Sequence, residues 1–151
     1  MTQVEKTVWV LVADAARARI YRADSPRGAL VELEDAVHPA SRLPGRDILA
    51  DRPGRALDSH GQHRHGMEPS IDPKDAEARR FAGELAGTLR HHHQAHAFTH
   101  LILVAPPRFL GFLRDALDPQ IAKHVIESFD LDLTHCETAE AVRSHLPERL
   151  Y

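Results

Sequence analysis

Residues 8–13 read Val-Trp-Val-Leu-Val-Ala, and residues 100–105 read His-Leu-Ile-Leu-Val-Ala. Both are short, nearly continuous apolar runs rich in β-branched side chains. Such runs predict strands buried on both faces of a sheet. Outward from the first run, Asp14-Ala15-Ala16 predicts a tight turn. Arg17–Arg22 (RARIYR) then alternates polar and apolar residues, as a half-buried strand does. Asp24–Gly28 carries Ser, Pro and Gly and predicts a turn, and Ala29–Leu33 predicts a third strand. The first 37 residues therefore read as an antiparallel meander.

Outward from the second run, Asp72-Pro73 upstream has the form of an N-cap with proline at the first helical position, and Asp75 falls in the first turn. The predicted helix continues to about His96, with Ala78, Phe81, Ala82, Leu85, Ala86 and Leu89 as its apolar face. Downstream, Pro106-Pro107 ends the strand, and Phe109–Leu117 predicts a helix with Leu110, Leu113 and Leu117 on one side. Pro119–Ile126 predicts a second short helix, Phe129–Leu133 a strand, and Glu137–Arg149 a closing helix capped by Thr138. Strands come first and then alternate with helices. That order predicts an α/β fold, a mixed sheet with an N-terminal antiparallel meander and helices on its faces. No internal repeat or second-domain boundary is visible, so residues 1–151 read as a single domain.

Composition narrows the function. Net charge is −3 and the pI is near 6.4. This excludes a protein held to nucleic acid by overall charge, so any RNA contact must come from a local patch. Cys136 is the one cysteine, so no intramolecular disulfide forms, and a cytoplasmic location fits. The run Val8–Ala13 is too short for a signal-peptide core, and no segment approaches the ~20 apolar residues of a membrane helix.

From His38 to Pro73 the periodicity dissolves. Pro39, Pro44, Pro53, Pro69 and Pro73 interleave with Gly45, Gly54, Gly61 and Gly66, and with Arg42, Arg46, Arg52, Arg55 and Arg64. A connection this long inside one domain is uncommon and usually functional or disordered. Polar chemistry concentrates in Asp58–Pro69, DSHGQHRHGMEP. Its glycines allow left-handed turns and close approach to a ligand. Gln62 both donates and accepts hydrogen bonds, and Arg64 is suited to bidentate pairing with phosphate. A solvated surface loop explains the same residues without function.

Two histidine groups invite a metal reading. His60, His63 and His65 share the loop, but no fourth ligand is marked. His91-His92-His93 and His96 close the long helix, and His92 and His96 sit at i,i+4. Imidazoles at a helix C-terminus also simply complement its dipole, and no H-E-x-x-H is present. The expectation is no metal and no cofactor. Neither G-x-S-x-G, a phosphate-binding G-x-x-x-x-G-K-[ST] nor G-x-G-x-x-G occurs, and Cys136 reads as a buried structural residue. Arg108 follows a buried strand and opens a helix. Ligands bind at such places in open sheets, so Arg108 is a candidate for a phosphate; a plain surface arginine is the simpler account.

Three stretches together carry a resemblance: WVLVADAARARIY, DRPGRALDSHGQHRHGMEP and LILVAPPRFLGFLRDAL. They resemble the bacterial host attachment protein family, from about Val8 to Leu146. That family in turn looks like a distant relative of the middle domain of archaeo-eukaryotic peptide-chain release factors. The resemblance implies a ribonuclease-H-like fold and a loop that enters the ribosomal peptidyl-transferase centre. There the Gly-Gly-Gln loop promotes hydrolysis of peptidyl-tRNA. The matching tripeptide here is His60-Gly61-Gln62, with histidine in place of the first glycine.

On that resemblance, Gln62 stands nearest the chemistry, with Gly61 and His60 shaping the tip. Arg52, Arg55, Arg64, His63, His65 and Arg108 are the candidate RNA contacts. The chain lacks a codon-reading domain, so its partners on this reading are the ribosome or tRNA without stop-codon recognition. The rival is a non-enzymatic module that binds a protein partner and acts on attachment to host cells indirectly. Whether any reaction is catalysed stays open between the two.

Overall fold

The computed structural model describes residues 6–33 and 72–151. Strands β1 (Val8–Ala13), β2 (Ala18–Ala23) and β3 (Leu30–Glu32) come first. Helix α1 (Pro73–Gln94), strand β4 (His100–Val104), helices α2 (Pro107–Ala116) and α3 (Pro119–Ala122), strand β5 (Val125–Phe129) and helix α4 (Ala139–Ser144) follow. The strands form one five-stranded sheet in the order β3-β2-β1-β4-β5. β1 pairs antiparallel with β2, and β2 with β3. β4 runs parallel to both β1 and β5. The fold is α/β with a mixed sheet.

The continuous apolar runs are explained by position. β1 is central, and all of its residues are buried. Its alternate side chains enter two cores, as the strand period of two requires. Trp9, Leu11 and Ala13 join Ile20 and Leu103 beneath α1 and α2, where Phe81, Leu85, Leu89, Phe109 and Leu113 complete the layer. Val8, Val10 and Val12 face the other way, against Tyr21, Val104 and the C-terminal segment through Cys136, Val142 and Leu146. Helix α1 begins as its sequence predicts. The Asp72 carboxylate accepts from the Lys74 N–H at 2.9 Å, with Pro73 following; a cap of this kind contributes about 1 kcal/mol.

The largest differences from expectation lie in the last third of the chain. The helix expected over Pro119–Ile126 stops at Ala122, and Val125–Phe129 is the edge strand β5. Ile121 and Val125 have helical spacing, but Val125 pairs with Leu101 of β4 and the β-branched pair Val125-Ile126 suits a strand. The strand expected over Phe129–Leu133 does not form, because the pairing with β4 ends at Phe129. The closing helix spans only Ala139–Ser144 of the expected Glu137–Arg149. Thr138 caps it, accepting from the Ala141 N–H at 3.0 Å. Arg143 then diverts the chain. Its guanidinium donates to the carbonyls of Gly28 (2.9 Å), Pro147 (2.7 Å) and Glu148 (2.7 Å), which a continued helix would not present together.

Helix α1 ends at Gln94, two residues before His96. His96 adopts φ of 62°, in the left-handed region. Its N–H donates to the His93 carbonyl at 2.9 Å, and the Ala97 N–H donates to the His92 carbonyl at 2.9 Å. This is the paired closure that usually recruits glycine. His96→Gly is therefore expected to raise stability by about 0.5–1 kcal/mol, read as a higher urea midpoint at unchanged slope. A lower midpoint would contradict the assignment.

Candidate functional site

β1 and β4 run parallel, so Ala13 and Val104 end at the same edge of the sheet. β3 lies two antiparallel steps from β1 and runs in the same direction. The chain therefore heads for this carboxyl edge where it leaves the described residues at Leu33, and it re-enters at Asp72 on the N-terminus of α1, at the same edge.

Asp14 organises the turn that follows β1. Its Oδ1 accepts from the N–H groups of Ala16 (2.8 Å) and Arg17 (2.9 Å), and its Oδ2 accepts from the Thr134 hydroxyl at 2.6 Å. Asp is a frequent turn opener for this reason: its carboxylate takes the N–H groups two and three residues on. Thr134 is buried, so the bond also ties the segment after β5 to the β1–β2 turn.

Across from this turn, α2 opens with Pro106 and Pro107. Arg108 follows and reaches Asp75 in the first turn of α1. Its Nε donates to Asp75 Oδ1 at 3.0 Å, and its Nη2 donates to Oδ2. The Arg108 guanidinium holds the Asp75 carboxyl below the usual carboxylate range, and Asp75 in turn raises Arg108. The Arg79 guanidinium lies 4.5 Å from the Phe112 ring centroid, and that of Arg108 lies 5.7 Å from it. Between the Asp14 turn and the starts of α1 and α2 lies a cleft of about 370 Å³, with Ala15, Ala78, Pro106, Phe109 and Phe112 among its walls.

Arg108 thus sits at the helix start on the carboxyl edge, exposed but engaged with Asp75. The other sequence-derived candidates, Gln62, Gly61, His60, Arg52, Arg55, Arg64, His63 and His65, lie outside the described residues. The sequence marks Asp14 only as a turn residue and Asp75 only as a first-turn acid, and it does not single out Arg79 or Phe112. Asp14 carried a readable signal, an aspartate directly after a buried strand. The Asp75–Arg108 pair spans 33 residues and follows only from the fold.

The histidines that close α1 lie at the opposite edge, beside His124. His92 lies 5.1 Å from Trp9 between ring centroids, and His93 lies 4.7 Å from His124 and 5.7 Å from Phe98. The i,i+4 reading of His92 and His96 fails, because the helix ends between them and His96 turns left-handed. Among the described residues, no group of three or more His, Cys, Asp or Glu is placed to hold a metal ion. Cys136 is buried, and its Sγ lies 3.9 Å from His145 Nδ1. That nitrogen is 2.8 Å from the Ala141 carbonyl, which can only accept, so Nδ1 carries the proton and cannot take one from the thiol.

Burial lowers the pKa of His93, helped by His124, His96 and Lys123. Burial, then Lys6 and His124, lowers that of His100. In the unfolded chain both revert to the ordinary value of 6.5. As pH falls through that value the unfolded state takes up protons first, so stability declines and then levels once the folded-state groups also protonate. The urea midpoint is expected to drop between pH of about 7.5 and about 5.5, and His93→Gln with His100→Gln should flatten the drop. An unchanged slope in the double variant would assign the effect elsewhere.

Residues 9–146 match the family described as "Protein required for attachment to host cells". The chain belongs to this family. No curated protein matches it. The host attachment match begins at Trp9 in β1 and ends at Leu146, just beyond α4, so it takes in every strand and helix except Val8 at the start of β1. Among the described residues of this host attachment protein, no helix is long and apolar enough to cross a membrane.

Proposed function

We propose that this host attachment family member is a cytoplasmic, release-factor-like domain that contacts ribosomal or transfer RNA through residues 38–73. The observation that carries the reading is topological. The chain leaves the sheet after Leu33 and returns at Asp72, and Lys74 and Asp75 line a cleft at the carboxyl edge. Ligands of open α/β sheets bind at that edge. The sheet order β3-β2-β1-β4-β5, antiparallel in its first three strands and parallel in its last two, is compatible with a ribonuclease-H-like fold and supports the same reading.

On this reading Arg52, Arg55 and Arg64 meet phosphates, with His63 and His65 beside them and Arg108 contributing from the sheet edge. Gln62 orients a water with its side-chain amide, and the backbone N–H of Gly61 assists. His60 shapes the tip. Gln62→Ala and Arg64→Ala proteins are expected to pellet with ribosomes several-fold less than the unmutated chain. If both pellet equally well, the loop has no such role. A peptidyl-tRNA hydrolysis assay then separates catalysis from binding alone.

The net charge of −3 and the family's description favour a second reading, a non-enzymatic module docking a protein partner. Salt separates the two, because RNA binding weakens steeply with ionic strength and a protein interface less so.

A further inference from the structure

The amino edge of the sheet carries a layer of imidazoles. His91, His92 and His93 lie in the last turn of α1, and His96 follows just beyond it. His124 immediately precedes β5, and His100 opens β4. The His93 ring lies 4.7 Å from that of His124 and 5.7 Å from that of Phe98, and Phe98 and His92 each lie 5.1 Å from Trp9. Trp9 is only 6% exposed, so these rings cover it at this edge.

The groups that face His93 are basic but for one. His96 comes from the end of α1, and Lys123 and His124 come from the corner between α3 and β5. Asp118 is the exception, and its Oδ1 already accepts from the Gln120 N–H at 3.0 Å as the cap of α3. Ahead of β1, Lys6 faces His100, as does His124, and His100 Nδ1 lies 2.8 Å from the Thr99 hydroxyl. A helix C-terminus ordinarily favours imidazolium. Here the carbonyls of His91, His92 and His93 already accept from the N–H groups of Ala95, Ala97 and His96. Like charges on rings in contact repel, so the layer packs best with His93 and His124 neutral.

We propose that His93 and His124 form an acid-sensitive latch. Neutral, they hold the end of α1 against the α3–β5 corner; protonated, they part it and uncover Trp9 and Phe98. Burial, then His124, His96 and Lys123, holds His93 below its ordinary value of 6.5 in the closed form. Opening restores the ordinary value, so the open form takes up protons first as pH falls through 6.5, and acid favours it. The opening is local. It releases the bonds of Ala95, His96 and Ala97 to the last carbonyls of α1 and leaves the strand pairing of β1 with β4 in place.

Trp9 is the single tryptophan of the chain, so its fluorescence reports the opening. Acrylamide quenching in the full chain is expected to rise about threefold between pH of about 7.5 and about 5.5, with far-UV circular dichroism unchanged. Amide protection at His96 and Ala97, corrected for the intrinsic effect of pH, should fall about tenfold over the same interval while that of Leu11 and Leu103 holds. His93→Gln with His124→Gln keeps polar side chains and should abolish both responses. His124→Gln alone, which leaves α1 unaltered, should do the same, and His91→Gln should keep them. Quenching that does not change with pH in the unmutated chain overturns the latch. So does a response that survives His124→Gln, one lost equally in His91→Gln, or one that coincides with loss of circular dichroism and is therefore global unfolding.

Discussion

Leu11→Ala is expected to lower folding stability by about 4 kcal/mol, and the melting temperature by about 8–15 °C. Leu11 is wholly buried in the central strand, and its register partners are Ile20 on β2 and Leu103 on β4. A neighbouring strand pins it on each side, and Phe81, Leu85 and Leu113 belong to the same core beneath the helices. The void left by truncation therefore cannot collapse, and the variant loses both the transfer free energy and the packing around the cavity. Ile126→Ala on the edge strand is the control. Ile126 is 38% exposed, so the change should stay within about 0.5–1 kcal/mol. Equal effects at the two positions would contradict the placement of β1 at the centre of the sheet.

Asp14→Ala is expected to lower stability by about 2–3 kcal/mol. The carboxylate accepts from two backbone N–H groups and the buried Thr134 hydroxyl, and hydrogen bonds to charged acceptors are worth roughly 1.5–3 kcal/mol each before solvent screening. Its side chain is 20% exposed, which reduces that sum. Asp14→Asn keeps an acceptor oxygen and should recover about half of the loss. The two variants also differ locally. Amide exchange at Ala16 and Arg17 should quicken in Asp14→Ala well beyond the global change, because the turn loses its only side-chain acceptor. Protection unchanged at both amides would remove Asp14 from the role of turn organiser.

Much of the fold was legible because its strongest signals are local. The runs at Val8–Ala13 and His100–Val104 are apolar on both faces because both faces are covered, and Asp72-Pro73 marks a helix start by its own chemistry. The errors lie where a distant partner decides. Val125 becomes a strand residue because Leu101 is there to pair with it. The last helix stops at Ser144 because Arg143 gathers carbonyls from Gly28 and from the chain after the helix. The site divides in the same way. The turn at Asp14 was readable as a turn, and Arg108 was placed at a helix start on the correct edge of the sheet. Its partner Asp75 and the guanidinium of Arg79 over Phe112 depend on the packing of α1 against α2, which no local pattern encodes.

The most direct test of the RNA reading is sedimentation of the purified chain with purified ribosomes at salt concentrations of about 50 mM and about 200 mM. The account predicts that the protein pellets with ribosomes at the lower concentration and is largely released at the higher one, as contacts to phosphate require. Absence from the ribosomal pellet at both concentrations would contradict it and leave the protein-docking module as the function of this host attachment domain.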